Sequence, residues 1–463
     1  SAATVINMGA FSPTIENAAA SKLYVQAGVF NASGADITGP GAGNGTLQID
    51  ATGTLCLGGS TTSNSATCND GASDTTTRSM PTFQTYTFDD ASIVIYLSDA
   101  DTAVSSTPTY GNLYLYPVLV STDRTYTFGG AVTIDGDFNI NPNERLISTP
   151  RLTVNPAGKI TLSNAAKTTT ITATNSSLST LDLDPGIDYD LETGLLVIGS
   201  GGTLDATTSA SVITLKGTAG FLFTRAGTFT QGQSDVQVTS ASGTPILLSA
   251  ATTFHILTIN SAATVVNMGL ATLTIENASG AKLYVQTGVF NASGADITGS
   301  GAGNGTLQID SNATLCLGGT GISSTATCNS GASDTTTRSM PTFQIYTFGA
   351  TSTVSYLSDA TTAISNTPIY GNLTLNPVFV TTSRTYTLGG AMTINGNFTL
   401  NPDESGASTP ALTVNPAGHI VVASGKTTTI SRTNSATATL DLDPGTDYDL
   451  TTGVLTIQAG GTL

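Results

Sequence analysis

The feature that most constrains this chain is that it repeats itself at long range. The stretch SAATVINMG at the start returns as SAATVVNMG from Ser261, an offset of 260 residues. The offset persists through NASGADITG, GAGNGTLQID, TLCLGG, GASDTTTRSMPTFQ and LTVNPAG, and becomes 259 by Lys426. LDLDPGIDYDL from Leu181 then matches LDLDPGTDYDL from Leu440. Self-similarity at fixed spacing marks a tandem duplication. It divides the chain into a first unit, residues 1–260, and a second, shorter unit, residues 261–463. Because the second copy stops most of the way through its own repeat, the protein is expected to continue beyond both ends, with any leader or anchor outside this stretch.

Inside each copy the pattern is short and alternating. Tyr370-Gly-Asn-Leu-Thr-Leu375, Thr385-Tyr-Thr-Leu-Gly-Gly390 and Met392-Thr-Ile-Asn-Gly-Asn-Phe-Thr-Leu400 place apolar residues at i and i+2 between Gly, Asn, Pro and Asp. That is the period of a half-buried strand, and no stretch carries a helical period with caps. Strands of three to five residues at this spacing suit either a string of β-sandwich domains or a parallel β-helix (β-solenoid). The β-helix is favoured on three grounds. Phrases of one type recur (GNLTL, GNFTL, ATLTI, GTLQI), as stacked rungs require. With no Trp and no Cys pair spaced across two sheets, an immunoglobulin-type core is not indicated. Asn, Gly and Thr at the corners can hydrogen-bond up and down the stack.

A rung of roughly 20 to 25 residues gives on the order of ten to thirteen rungs per full copy. Stacked at about 4.8 Å, the rungs of the whole chain make a rod of roughly 100 Å. Expected in-facing residues include Leu273, Ile275, Leu283, Val285, Leu307, Ile309, Leu373, Leu375, Ile394, Phe398 and Leu400. Bare terminal rungs expose strand edges, so self-association end to end or laterally is expected.

Composition narrows the function classes. Fourteen Lys+Arg against 31 Asp+Glu give a formal net charge of -17, and no cationic cluster exists to displace counterions from nucleic acid. No stretch approaches the roughly 20 apolar residues of a membrane helix.

The phrases YGNLTL, YTLGGAMTINGNFTL and N-P-A-G resemble large bacterial surface proteins built of β-strand repeats, the autotransporter-adhesin-like parallel β-helix class. The resemblance implies a secreted solenoid serving as adhesin, stalk, surface layer or filament subunit. The Cys-bearing segment departs from that pattern, and no barrel anchor or sorting signal is visible.

Four cysteines are present, Cys56 and Cys68 in the first copy, Cys316 and Cys328 in the second. In Leu55-Cys56-Leu57 inward leucines would turn the cysteine outward, and Cys68 falls in a Ser/Thr/Asn/Gly-rich stretch read as a loop leaving the rod. Two local disulfides, Cys56–Cys68 and Cys316–Cys328, are expected within loops near 56–81 and 316–341. Free thiols are the alternative, and a zinc site lacks partner ligands. Disulfides imply an oxidising, extracellular or cell-surface location.

One acidic constellation stands out: Asp182, Asp184, Asp188, Asp190 and Glu192, echoed by Asp441, Asp443, Asp447 and Asp449. A Pro-Gly turn could bring the two arms together around calcium; equally, Asp alternating with Leu describes a solvated strand face. No other cofactor is indicated. The histidines, His255 and His419, are not equivalent between copies, and no G-x-S-x-G elbow occurs. A carbohydrate-active enzyme is the least supported reading. The glycine runs 39–45 and 299–305 lack the Lys-Ser/Thr ending of a phosphate loop and read as turns. The loops 60–81 and 320–341 are the best surface for binding glycan or a partner protein. Asn-x-Ser/Thr triplets occur at Asn31, Asn44, Asn175, Asn291, Asn304, Asn312, Asn372 and Asn397 among others; in so Asn- and Thr-rich a chain they arise by chance, and sequence alone does not choose an acceptor.

Overall fold

The computed structural model describes residues 5–9, 11–32, 34–59, 68, 71–146, 148–207, 210–319, 321–328, 331–406 and 408–463. Among them there is no helix. Every described strand pair is parallel, and the strands build the stacked coils of a β-solenoid, about 18 turns in all. The chain divides into two compact units, Ser1–Gly217 with Phe223–Ser234, and Thr218–Leu222 with Asp235–Leu463.

In the first unit each coil contributes strands to three faces. Along one face the partners run Val5↔Val29↔Thr54↔Ile93↔Asn112 and then Leu113↔Phe138↔Thr169↔Leu196↔Phe223. A second face stacks Thr125, Thr153, Thr180, Thr203 and Thr228 in one column. A third aligns Val132, Ile160, Leu191 and Ile213. The second unit repeats the plan, with Leu315↔Val354↔Leu373↔Phe398↔Thr428↔Leu455 on its first face. Coil length is not uniform: Thr54 to Ile93 encloses a long insertion, whereas Ile93 to Asn112 is far shorter.

The period-2 pattern explains the core. Alternate residues point into the coil, so all eleven expected in-facing residues, from Leu273 to Leu400, are at most 1% exposed. Burying each of the larger ones contributes about 1.5 to 3 kcal/mol. Tyrosines join this interior too: Tyr370 donates to Ser365 O at 2.7 Å and Tyr126 to Ser98 O at 2.6 Å, whereas the buried Tyr356 hydroxyl has no partner. At the corners, polar side chains do bond along the stack. Asn31 Nδ2 donates to Asn7 Oδ1 at 2.7 Å, and Asn291 to Asn267 at 2.8 Å.

The glycine of the Y-G-N-L phrase has a steric cause. A Cβ on Gly371 would lie 2.3 Å from Gly349 O and 2.5 Å from Ser352 O, so the preceding coil leaves no room for a side chain. Gly111 meets Asp89 O at 2.2 Å in the same way.

Candidate functional site

The cysteine-bearing insertion is a large departure from the coil pattern, and its attachment follows from strand geometry. In Thr46–Leu57, Leu55 and Leu57 face the interior, which sends Cys56 to the outer surface of the face. Although it points outward, Cys56 is 0% exposed, because Cys68, Ile95 and Leu97 pack against it. Cys56 and Cys68 form a disulfide with Cα atoms 6.3 Å apart, as do Cys316 and Cys328. Around the first bridge, Ile95 and Leu97 complete a small apolar cluster outside the coil, flanked by Val29, Ile93, Tyr114 and Tyr116. Around the second, Val265, Val289 and Leu357 do the same. The described part of the insertion is thus held against the coil as a lid with its own core. Residues 60–67, 69–70, 320 and 329–330 of the two expected binding loops lie outside the described residues.

Charge fastens the lid as well. In the first unit Arg78 Nε donates to Asp74 Oδ2 at 2.9 Å, Nη1 to Asp36 Oδ1 at 3.0 Å, and Nη2 to Gly34 O. Ser73 and Arg124 both donate to Asp99, at 2.8 Å each. The second unit has the same network: Arg338 to Asp334 (2.8 Å), Asp296 (2.6 Å) and Gly294 O, with Ser333 and Arg384 on Asp359. Asp334 and Asp359 are nearly inaccessible, at 3% and 2%. Buried carboxylates are tolerated only when paired in this way. In the second unit an amide adds a further tie: Asn267 Nδ2 donates to Ser323 O at 3.1 Å while its Oδ1 accepts from Ser323 N at 2.9 Å.

Beside each fastened lid runs an open cleft, about 370 Å³ in the second unit and about 570 Å³ in the first. One wall is Asp296-Ile-Thr-Gly299, the other Thr337-Arg-Ser-Met-Pro-Thr342. Asp296 and its twin Asp36 leave about two thirds of their side chains in solvent, 66% and 64%. Hydroxyls, one free carboxylate edge and a methionine suit a polar ligand with several hydrogen-bonding groups. The glycine runs form part of this wall: Gly41 N donates to Thr82 O at 3.1 Å, and a Cβ on Gly39 would fall 2.2 Å from that oxygen. They are close-approach turns, as the missing Lys-Ser/Thr suggested.

Sequence reasoning located the disulfides and the loop but missed Arg78, Asp36 and Asp74. Isolated charges in a chain with only 10% charged residues are the available signal, since each such charge needs a partner if buried.

In the acidic constellation of the first copy, three carboxylates accept from backbone amides. Asp182 accepts from Asp184 N at 2.9 Å, Asp190 from Val212 N at 2.9 Å, and Asp188 from Ala210 N at 3.3 Å. Burial raises the Asp182 carboxyl, and the neighbouring Asp205 and Asp184 add to this. Burial works to raise Glu192 too, but the Lys159 and Lys216 ammoniums hold it below its ordinary value. In the second copy Asp441 accepts from Asp443 N at 3.1 Å, while Asp443, Asp447 and Asp449 are exposed. Leu181 and Leu183 between these acids are fully buried. Among the described residues no three acidic, His or Cys side chains converge on one point. His255 is buried at the start of Ile256–Asn260 with Nδ1 on Glu276, and the exposed His419 contacts Thr451 Oγ1 at 2.9 Å.

Fold and site together define the class: a parallel β-solenoid with a disulfide-fastened lid in each unit. No protein-family profile matches the chain, and neither a curated protein nor a solved structure does.

Proposed function

We propose that this chain is part of an extracellular structural protein, a stiff β-solenoid that forms or decorates a filament, stalk or surface layer. The observation that carries it is the double fastening of the lids. A buried disulfide, a separate apolar cluster and a buried Arg–Asp network hold an insertion against the coil in both copies. Oxidised cysteines suit an oxidising compartment, and parallel coils bonded rung to rung resist local opening because each strand is held from both sides. The bacterial surface-protein resemblance points the same way. Self-association, end to end or lateral, is part of this reading; nucleic-acid binding, membrane insertion of this segment and catalysis are not. Among the described residues no helix is long and apolar enough to cross a membrane.

Electron microscopy and fibre diffraction of the purified protein test it. Filaments or elongated particles with a repeat near 4.8 Å along the axis are expected; compact globules without that repeat would overturn the reading.

An adhesin is the second reading, favoured specifically by the two lid clefts with their solvent-facing Asp36 and Asp296. A glycan array and a panel of surface proteins, probed with the native chain and with Asp36→Ala/Asp296→Ala, separate it from a purely structural role. The native chain must bind and the double variant must not.

A further inference from the structure

We infer that Asn312 is an acceptor for an asparagine-linked glycan. The inference rests on the extracellular reading above, since the transfer takes place only on exported chain.

The structure sorts the Asn-x-Ser/Thr triplets by whether the native fold has room for a sugar. Asn31 and Asn291 are 0% and 2% exposed. The amides of Asn44, Asn175, Asn304 and Asn372 are donated to Asn17, Asn143, Asn277 and Ser352 on neighbouring coils. Asn277, a further triplet, accepts from Asn304, and Asn397 accepts from Thr427 N at 3.0 Å. Asn312 differs. It is exposed, sits at the tip of the turn between Thr306–Ile309 and Thr314–Leu317 with φ of 68°, and its side chain makes no hydrogen bond in the structure. A positive φ is tolerated by asparagine, so the turn alone accounts for the residue type. It does not account for what flanks it.

The flanking sequence is Asp310-Ser-Asn312-Ala-Thr314. Thr314 supplies the hydroxyl two residues on that every acceptor needs. Asp310 supplies an acid two residues before, the extended signal that one class of oligosaccharyltransferases requires. The residues at that position for the exposed alternatives are Ala173, Ile275 and Asn395, none of them acidic. The first copy is an internal control. There the same stretch is Asp50-Ala-Thr-Gly-Thr54, without asparagine, and it runs as unbroken strand within Thr46–Leu57.

The donor would be a lipid-pyrophosphate-linked oligosaccharide. A bond forms from Asn312 Nδ2 to C1 of the first sugar, the C1–O bond to pyrophosphate breaks, and the lipid pyrophosphate leaves with the electron pair. The proton lost from Nδ2 passes to enzyme base or solvent. Asn312 is exposed in the finished coil although Ala313 beside it is fully buried, so the glycan projects from the turn into solvent.

The test is peptide mass spectrometry of the protein purified, without reduction, from the cells that make it. A glycan mass is expected on the peptide holding Asn312 and none on the peptide holding Thr52. Asn312→Gly, which keeps the turn's φ, and Thr314→Val abolish it; Asp310→Asn lowers occupancy at least about tenfold. Bare Asn312 overturns the proposal. The same spectra show whether the export reading falls with it: if Cys316–Cys328 is oxidised the glycan proposal fails alone, and if both thiols are reduced both fail.

Discussion

Arg338 and Asp296 lie 42 residues apart in the chain, yet Nη1 of one donates to Oδ1 of the other at 2.6 Å. The same arginine closes on Asp334 four residues before it, so one guanidinium ties the lid both to itself and to the coil beneath. Arg78 repeats this with Asp36 and Asp74.

Removing that tie is expected to cost more than a surface charge would. Arg338→Met leaves Asp334 buried without its cation, a loss of about 3–5 kcal/mol. The expected outcome is earlier proteolytic cleavage within 331–341 with the remaining coils protected; equal cleavage rates for variant and parent would refute the role.

The disulfide is a second, separable tie. It joins cysteines 12 residues apart in sequence, and Cys316→Ser/Cys328→Ser should lower stability by about 3 kcal/mol. Chemical denaturation of the second lid, followed by hydrogen exchange, reads the effect. Combined with Arg338→Met the loss should depart from additivity, because both ties hold the same segment.

Alkaline pH should unfold the coils from the inside. Burial pushes the Tyr96 hydroxyl up to about 12, with smaller opposing contributions from Tyr110 and the Ser105 amide; Tyr110 and Tyr126 are raised further by burial. A folded pKa above the unfolded value near 10 gives stability that is complete below pH 10. It is lost as pH climbs from there toward the folded value. Phenolate absorbance should therefore appear together with loss of β circular dichroism, and Tyr96→Phe should move that transition to higher pH.

Close packing between coils predicts a severe effect from a small change. Gly371→Ala puts a methyl against two backbone carbonyls, which cannot rotate away. A loss above about 2 kcal/mol is expected, whereas Gly303→Ala, where the space is open, should be within about 0.5 kcal/mol. Thermal melts of the pair decide it.

Chelation checks the acidic constellation. With Asp182, Asp188 and Asp190 engaged by backbone amides, added calcium or a chelator should leave the melting temperature unchanged. A calcium-dependent rise would instead show these carboxylates gathering around the ion.

Much of this architecture was legible in one dimension. Strand phrases such as Leu373-Thr-Leu375 announce their inward side by alternation alone, and repetition of the phrase implies stacking, because identical rungs pair most simply with one another. The cysteine pairing was legible too, through short spacing within each copy. What was not legible was the lid: nothing local to Arg78 says that a carboxylate 42 positions away lies beneath it, and nothing local to Cys56 says that its outward side is covered.

The sequence by itself therefore determined which residues face inward, since that depends only on period and backbone pleat. Only the tertiary structure decided what covers the outward side, which carboxylates are paired, and which asparagine stands clear in solvent. Those outcomes depend on the distance between segments remote in sequence, and distance is set by how the coils stack.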